Sequence, residues 1–500
     1  MHGNCRILQN YCALETYLRM IKYTPSHELT NTLFDSPFDN ELNPNNRWYI
    51  LEGLVPWDTL ASVMMKNLSN LGRSTVDLRY VLGALLIKGI ENLSDEDTLT
   101  HISENLYMQY FVGLRSFRAE RLFTPEVFVE VRKRLGEEGT RQMNEVILKY
   151  AYETKLMPQR KAHDGDASRP HRGMLKIDAT VSPQDIAYPT DTKLLDDCRQ
   201  FTEHLIDYFW KSGYILRETK PRTYRKTASA YYLNFAKKKS PSKKIIKKCI
   251  KQQLQYIQRN MKHINKVLDR VIEETGSMPI MQKRDYKFWL VVQHIYEQQY
   301  NKYRDNRKKI TDRIVSLSQP WVRPIVRGKA GKKTEFGAKV NASEVDGYVD
   351  FGRVDFNSYN EALDLEKILE RYKRIYGHYP EGVLVDKIYL NKKNRELLKE
   401  LGINHYGPRL GRPAKLSKAE KLQRKKKQNK RSEIEGKFGL GKIKYGLDKI
   451  KMRLPETSKA HINMIALSMN LMQLLRHVYA FFIYFVNSHR SSQKRVIGLS

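Results

Sequence analysis

The sequence predicts a mixed α/β domain that is split by a long helical insertion and preceded by an all-α domain. Three observations predict this order. Helical periodicity runs from Asp77 to about Leu114, strand-like segments lie far apart at 174–183 and 333–356, and more than a hundred residues between these have a helical pattern. A strand, a long helical interruption, a hairpin, and then alternating helix and strand are typical of an α/β domain with an insertion.

Length and charge limit the class of protein. A chain of 500 residues is too long for one compact core, so two to four domains are expected. The net charge of +34 repels itself in a folded protein, and a polyanionic partner is the usual reason to keep it. Nucleic acid is therefore the first choice of partner, and an anionic membrane surface is a distant second.

Cysteines and apolar runs indicate the compartment. The four cysteines form no CxxC pair, so neither a zinc site nor a disulfide framework is predicted and a reducing compartment fits best. The longest apolar run, 478–486, is nine residues, which is too short to span a bilayer, and the first residues lack the layout of a signal peptide. We expect a cytoplasmic, nucleoid-associated protein that does not contact a membrane.

The first 157 residues are predicted to form a helical domain. Apolar residues recur at helical spacing from Leu78 to Leu86, Ser94 and Asp97 form a capping pair for a second helix, and Pro125 suits the first turn of a third. Such a domain could be a dimerisation or packing module, or a helix-turn-helix reader of DNA. The residues alone leave both interpretations open.

The remaining chain is divided by composition. We predict a polar linker at 158–172, the first part of the α/β core at 173–190, a basic helical insertion at 191–317, the second part of the core at 318–455, and a C-terminal helix at 456–500. The insertion is expected to be an antiparallel helical hairpin. Its basic outer face either binds phosphate or is merely solvated.

Local signals within the second part of the core are specific. Asp346-Gly347 predicts a two-residue hairpin turn. Ser358 and Glu361 predict the start of an amphipathic helix, which Gly377 ends. The segment GVLVDKIYL at 382–390 predicts another apolar strand.

Two aspartates follow apolar strand residues. Asp178 ends the run LKI and Asp386 ends the run VLV, so both are predicted at strand ends rather than on a solvated face. A lone aspartate in that position is often a turn or cap residue. Two that converge with a glutamate from a helix would form a metal-binding cage.

Helical spacing selects the glutamate. At about 100° per residue, Arg431, Glu435 and Lys442 fall on one side of a helix, and Glu433 points to the other side. A glutamate flanked by cations suits a metal ligand beside a phosphate backbone, although an ordinary Arg–Glu pair one turn apart explains the spacing equally well. Glycines at 436, 439, 441 and 446 weaken the helix prediction.

These residues resemble the signature of the DDE transposases of bacterial insertion sequences. The spacing Arg431, Glu435, Lys442 matches that signature, KIDATV resembles the strand of the first aspartate, and Asp386-Lys387-Ile388-Tyr389 is similar to the stretch at the second. The region around 84–114 is similar to the InsH-type N-terminal domain of the same proteins. Two positions depart from the family pattern, which has a tyrosine where Gln428 stands and a glycine where Ile388 stands.

The resemblance implies a ribonuclease H-like catalytic core. Asp178, Asp386 and Glu435 would hold two Mg²⁺ ions, with Mn²⁺ as a possible substitute, and would cleave transposon ends and join them to target DNA. Arg431, Lys442 and Tyr389 would contact DNA rather than metal. The basic run at 421–431 adds three further predicted DNA contacts, Lys425, Lys426 and Lys427.

Two alternatives remain beside the transposase. One is a nuclease or resolvase with the same core that cuts without joining. The other is an inactive, transposase-derived DNA-binding protein, which the departures at Gln428 and Ile388 favour. The resemblance also implies double-stranded DNA, both transposon ends and target, as the partner of a homodimer.

Overall fold

The computed structural model describes residues 23–25, 41–67, 76–157, 171–216, 219–307, 309–326, 334–407 and 417–497. Most of the predicted linker at 158–172 therefore lies outside the described residues. The chain divides into two compact units. We call residues 1–183, 339–355 and 359–500 the core unit, and residues 184–338 and 356–358 the helical unit.

Among the described residues, six helices precede the first strand of the core unit. Their bounds are α1 Arg47–Leu54, α2 Trp57–Asn67, α3 Leu78–Glu91, α4 Asp95–Glu104, α5 Leu106–Val112 and α6 Glu126–Glu153. The Ser94 hydroxyl accepts a hydrogen bond from the Asp97 amide at 3.0 Å, as the predicted capping pair requires. Helix α3 is buried on nearly every side, so it is a central helix rather than the one-sided amphipathic helix that its spacing indicates.

The strands of the core unit form a mixed sheet. Their bounds are β1 Met174–Pro183, β3 Thr334–Val345, β4 Tyr348–Asp355, β5 Gly382–Leu384 and β6 Asn404–His405, with β2 Arg323–Val326 in the helical unit. The order is β3-β1-β5-β6, and β4 pairs with β3 in antiparallel fashion. Strand β5 is parallel to both β1 and β6. Most of the helical unit thus separates β1 from β3 in the sequence, although the two strands are neighbours in the sheet.

Each face of the sheet is buried by different helices. Leu175 and Ile177 of β1 join an apolar cluster with residues of α6 and of α11, which spans Leu365–Tyr376. Because side chains alternate along a strand, Lys176 and Asp178 point to the opposite face. Helix α13, Lys418–Lys444, packs against β1 and β5.

The last helix joins the two parts of the core unit. Helix α14, Pro455–Ile497, packs along α6 and across β4. Its Asn470 side chain donates to the Val349 carbonyl of β4 at 2.7 Å and to Asn144 of α6 at 2.8 Å. None of the helices in the described part of the chain is long and apolar enough to cross a membrane.

Four helices make up most of the helical unit. They are α7 Asp191–Lys211, α8 Arg225–Ala236, α9 Lys243–Thr275 and α10 Lys283–Arg304. Helices α7, α9 and α10 share one apolar core that includes Leu205, Ile257 and Val292. The opposite face of α9 presents lysines to solvent, as the sequence predicts.

Local predictions in the second part of the core are mostly correct. Asp346 and Gly347 form the two-residue turn between β3 and β4, both with positive φ (45° and 94°), the geometry of a type I′ turn. Gly377 ends α11 with φ 80°. The helix begins later than predicted, after a 3₁₀ turn at Glu361–Asp364 that Asn360 caps. A short helix, α12 Lys392–Glu400, leads to β6.

Candidate active site

The first candidate carboxylate lies within β1 rather than at its end. The strand continues to Pro183 because the following residues are anchored: the Ser182 hydroxyl donates to the Leu447 carbonyl at 2.9 Å, and the Ile450 amide donates to the Pro183 carbonyl at 2.9 Å. The Asp178 side chain is 22% exposed, and one of its oxygens accepts from the Ala179 amide at 2.8 Å. It is half-buried at the α13 face of the sheet.

The second candidate carboxylate follows β5. The strand is shorter than predicted, since it ends at Leu384 and a 3₁₀ turn begins at Lys387. Asp386 caps that turn by accepting from the Lys387 amide at 2.7 Å, and it is exposed. The capping role that a lone aspartate often takes is therefore present here.

Strand pairing brings the two aspartates to one place. In the β1–β5 ladder, Met174 pairs with Gly382 and Lys176 pairs with Leu384, a constant separation of 208 residues. Asp178 and Asp386 have the same separation, so continuing the register two residues beyond the end of β5 would set them opposite each other. The prediction that these aspartates come from adjacent strands agrees with this pairing.

Helix α13 brings Glu435 to the same face. The glycines do not interrupt the helix, which continues to Lys444 while Ile434 and Phe438 are buried on one side. Arg431 lies between two carboxylates: one guanidinium nitrogen is 3.3 Å from Asp178 Oδ2 and the other is 3.2 Å from Glu435 Oε1. The pairing of Arg431 with Glu435 one turn away is real, and it extends to the first aspartate.

The electrostatics of this cluster favour a bound cation. Burial raises the pKa of the Asp178 carboxyl, and repulsion by Glu435 and Asp386 adds to the rise, while the Ala179 amide and Arg431 oppose it. A divalent cation would relieve this repulsion, and an all-carboxylate donor set is what hard cations prefer. The residues present thus fit such an ion in chemistry.

The side-chain positions do not yet form a cage. Within the described ranges, no three His, Cys, Asp or Glu side chains are arranged so that they could hold a metal ion. At this site the Arg431 guanidinium contacts both Asp178 and Glu435, so these two carboxylates share a cationic side chain.

Glu433, predicted on the other side of the helix from Glu435, also reaches the sheet. Its carboxylate lies 2.8 Å from Nζ of Lys176, a fully buried residue two positions before Asp178 on the same face of β1. Lys176 Nζ is also 2.5 Å from Glu344 of β3, whose side chain is 1% exposed. Sequence reasoning missed this cluster, although a lysine inside the apolar run LKI was a signal for it.

Tyr389 is not available to DNA, contrary to its predicted role. Its side chain is fully buried, and the hydroxyl donates to Asn341 of β3 at 2.8 Å. Burial of an aromatic ring next to a satisfied hydroxyl indicates a structural role. The adjacent Ile388, one of the two departures from the family pattern, is 45% exposed instead.

The remaining predicted contacts lie along α13. Lys425 and Lys426 are exposed on its first half, Lys442 is half-buried near its end, and Lys427 belongs to the helix although its side chain lies outside the described residues. These lysines are two or more turns from Glu435. Their placement leaves the predicted phosphate contacts open.

Comparison with known proteins finds two transposase families in separate parts of the chain. Residues 383–472 match the family described as Transposase DDE domain, a range that contains Asp386, Arg431, Glu435 and Lys442. Residues 36–134 match the family described as Transposase domain (DUF772), which covers most of the N-terminal helices. Asp178 lies outside both ranges.

One curated relative adds to these matches. A Rhizobium meliloti protein, described as uncharacterized protein ORF8 in the nfe locus, is 29% identical over 198 residues, which is 40% of this chain and 89% of the relative. No solved structure matches the chain.

The family matches agree with the strand order of the sheet. A mixed sheet in the order β4-β3-β1-β5-β6, with helices on both faces, is the ribonuclease H-like core that a DDE domain implies. Proteins of this class use divalent metals and bind DNA. The N-terminal and catalytic matches occur together on one chain, and together with the relative they support an insertion-sequence DDE transposase.

Proposed function

We propose that this protein binds the terminal inverted repeats of an insertion sequence, cleaves at the ends, and joins the 3′-OH ends to target DNA. The observation that carries the proposal is the β1–β5 register, which aligns Asp178 with Asp386 beside the Arg431–Glu435 pair. Few structural demands would align two aspartates 208 residues apart next to a third carboxylate. A requirement for adjacent metal ligands explains the alignment.

In this proposal, each side chain has one task. Asp178, Asp386 and Glu435 hold two Mg²⁺ ions, for which Mn²⁺ can substitute. Bound ions of this kind activate the attacking oxygen and stabilise the leaving oxygen of an in-line displacement. Arg431 transfers its guanidinium from the carboxylates to a DNA phosphate, since arginine forms bidentate bonds with either group.

A second surface for DNA is proposed on the helical unit. Residues 219–268 contain fifteen Lys or Arg and no Asp or Glu. On α9 the exposed cations of this stretch are Lys243, Lys244, Lys247, Lys248, Lys251, Lys262 and Lys266. None of these seven lysines forms an ion pair with a described carboxylate, which leaves their charge available to phosphates.

A set of lysine variants tests this surface. Replacing Lys247, Lys248 and Lys251 with Ala should weaken binding to every DNA sequence and reduce the slope of log K against log salt by roughly 0.9 for each lost phosphate contact. The matched control replaces Lys133, Lys149 and Lys459, which already pair with Glu130, Glu145 and Glu137. Equal slopes for both triple variants would show that the α9 lysines are only solvated. The run Lys425, Lys426 and Lys427 is tested in the same way.

The catalytic proposal is tested with the DNA that borders the reading frame. The full chain is incubated with a duplex carrying each border, a target plasmid and Mg²⁺. Cleavage at the border followed by joined products supports a transposase. Cleavage without joining would replace it with a nuclease or resolvase, and binding without cleavage would replace it with an inactive DNA-binding descendant. A homodimer in the DNA complex is expected by light scattering.

A further inference from the structure

A buried lysine lies next to the candidate catalytic residues without belonging to them. Lys176 is completely buried in β1, and its ammonium contacts two carboxylates from distant parts of the chain, Glu344 of β3 and Glu433 of α13. A buried lysine is unusual unless it is paired. Its location between two strands and a helix makes it a candidate for fixing their relative positions.

The first partner is held firmly. Glu344 is 1% exposed, and its other carboxylate oxygen accepts from the Gly347 amide in the turn between β3 and β4. Gly347 has φ 94°, a backbone conformation that favours glycine. Through Glu344, Lys176 is thus linked to the turn between β3 and β4.

The second partner belongs to the helix that carries Glu435. The Glu433 side chain is 52% exposed, so its contact with Lys176 is at the edge of the buried region. On β1, Lys176 and Asp178 are two residues apart on one face, and on α13 their partners, Glu433 and Arg431, are also two residues apart. The two contacts together determine how far α13 is shifted along β1.

We propose that Lys176 and Glu433 are positioning residues, which set the register of α13 over β1 so that Glu435 reaches Asp178. The inference rests on the proposed metal-dependent function, and it assigns to Glu433 a role that helical spacing does not predict. Neither residue touches DNA or metal in this proposal. Removal of the contact would keep all three carboxylates in the chain but let α13, and Glu435 with it, shift along β1.

Glu433→Gln is the variant that tests this role most cleanly. It removes one charge from a half-exposed residue and leaves the buried Lys176–Glu344 pair intact, so folding is expected to be preserved. The matched control is Glu130→Gln, which removes the same charge from an exposed pair with Lys133, far from the candidate site in the sequence. Glu433→Asp keeps the charge on a shorter side chain and should restore part of the loss.

Three readouts are needed on the full chain. Hydrogen–deuterium exchange without metal should show faster exchange in residues 430–441 for Glu433→Gln than for the control. The affinity for Mn²⁺ alone, measured by electron paramagnetic resonance, should fall several-fold. The cleavage kcat should fall about tenfold, while the Kd for border DNA and the Tm stay at parental values.

The variants distinguish a failure of the positioning role from a failure of the proposed function. If Glu433→Gln exchanges, binds Mn²⁺ and cleaves like Glu130→Gln, the positioning role is overturned. If Asp178→Asn is inactive in the same experiment, the proposed function survives that result. If Asp178→Asn also cleaves normally, the proposed function itself is wrong.

Discussion

The carboxylates of the two units differ in how closely they pair with an arginine side chain. In the helical unit, Arg199 donates to both Asp196 and Glu203 at 2.7 and 2.6 Å, and each of the three side chains is less than 10% exposed. At the candidate site of the core unit, Asp178 is instead repelled by Glu435 and Asp386 and receives only part of one guanidinium. In the first arrangement both carboxylates accept short hydrogen bonds from one guanidinium, whereas in the second the contacts with Arg431 are longer, at 3.3 and 3.2 Å, and a third carboxylate is nearby.

This difference distinguishes a cluster that stabilises the fold from a site that is suited to binding a cation. A buried cluster in which one guanidinium hydrogen-bonds both carboxylates supports the fold, and removing that guanidinium would leave two buried charges behind. A site with uncompensated carboxylates costs stability, and such a cost is common where a protein binds a cation or a substrate. The comparison predicts opposite consequences when a charge is removed from each region.

The largest expected effect is on catalysis. Asp386→Asn keeps the shape of the side chain and removes the charge that a hard cation requires, so cleavage and strand transfer in Mg²⁺ should fall by about 10³-fold or more. DNA binding should stay at the parental level or rise slightly, because one repulsive charge is gone. Cleavage of the border duplex is the measurement. Glu435→Gln should show the same loss of cleavage. Normal cleavage by both variants would rule out the proposed metal site.

The next effect is on folding of the helical unit. Arg199→Met would leave Asp196 and Glu203 buried without their guanidinium partner, and breaking a buried pair in this way costs about 3–5 kcal/mol. Urea unfolding should show the loss. Arg304→Met is the control, since its pair with Asp305 is exposed and its loss should leave the stability close to that of the parent. Similar losses in both variants would contradict the distinction between paired and exposed clusters.

A smaller effect is predicted for metal affinity without DNA. Because Arg431 competes with a cation for Asp178 and Glu435, Arg431→Gln should bind Mn²⁺ several-fold more tightly than the parent when DNA is absent. Isothermal titration calorimetry with and without border DNA measures this change. DNA should raise the affinity of the parent more than that of the variant. An equal or weaker affinity in Arg431→Gln would show that the guanidinium does not block the site.

The smallest effect is on the stability of the core unit. The folded state raises the pKa of Asp178, so its ionised form is disfavoured by folding at neutral pH and the cost disappears once pH falls below the unfolded value. Asp178→Asn should therefore raise Tm by a few degrees at pH 7 in a chelator. The gain should shrink as the pH is lowered through the acid range. A gain that does not depend on pH would point to packing instead of charge.

Much of the fold follows from local chemistry. The capping pair Ser94–Asp97, the turn at Asp346-Gly347 and the helix end at Gly377 depend on neighbouring residues only, and all three are confirmed. The strand of Asp178 was located correctly but continues further, because residues 447 and 450 hold its second half. Hydrogen-bond partners that lie nearly 270 residues away in the sequence leave no local sequence pattern from which the full length of the strand could be predicted.

The sequence by itself determined the basic character of the insertion, and it predicted the residues of the candidate site and the resemblance to the transposase family. Only the tertiary structure decided that Tyr389 is buried against Asn341, that Arg431 bridges Asp178 and Glu435, and that Glu433 turns to Lys176. Helical spacing gives the direction of a side chain about its own axis, but not which strand lies beneath it. Which strand lies beneath a side chain depends on how α13 packs on the sheet, and this packing depends on the whole chain.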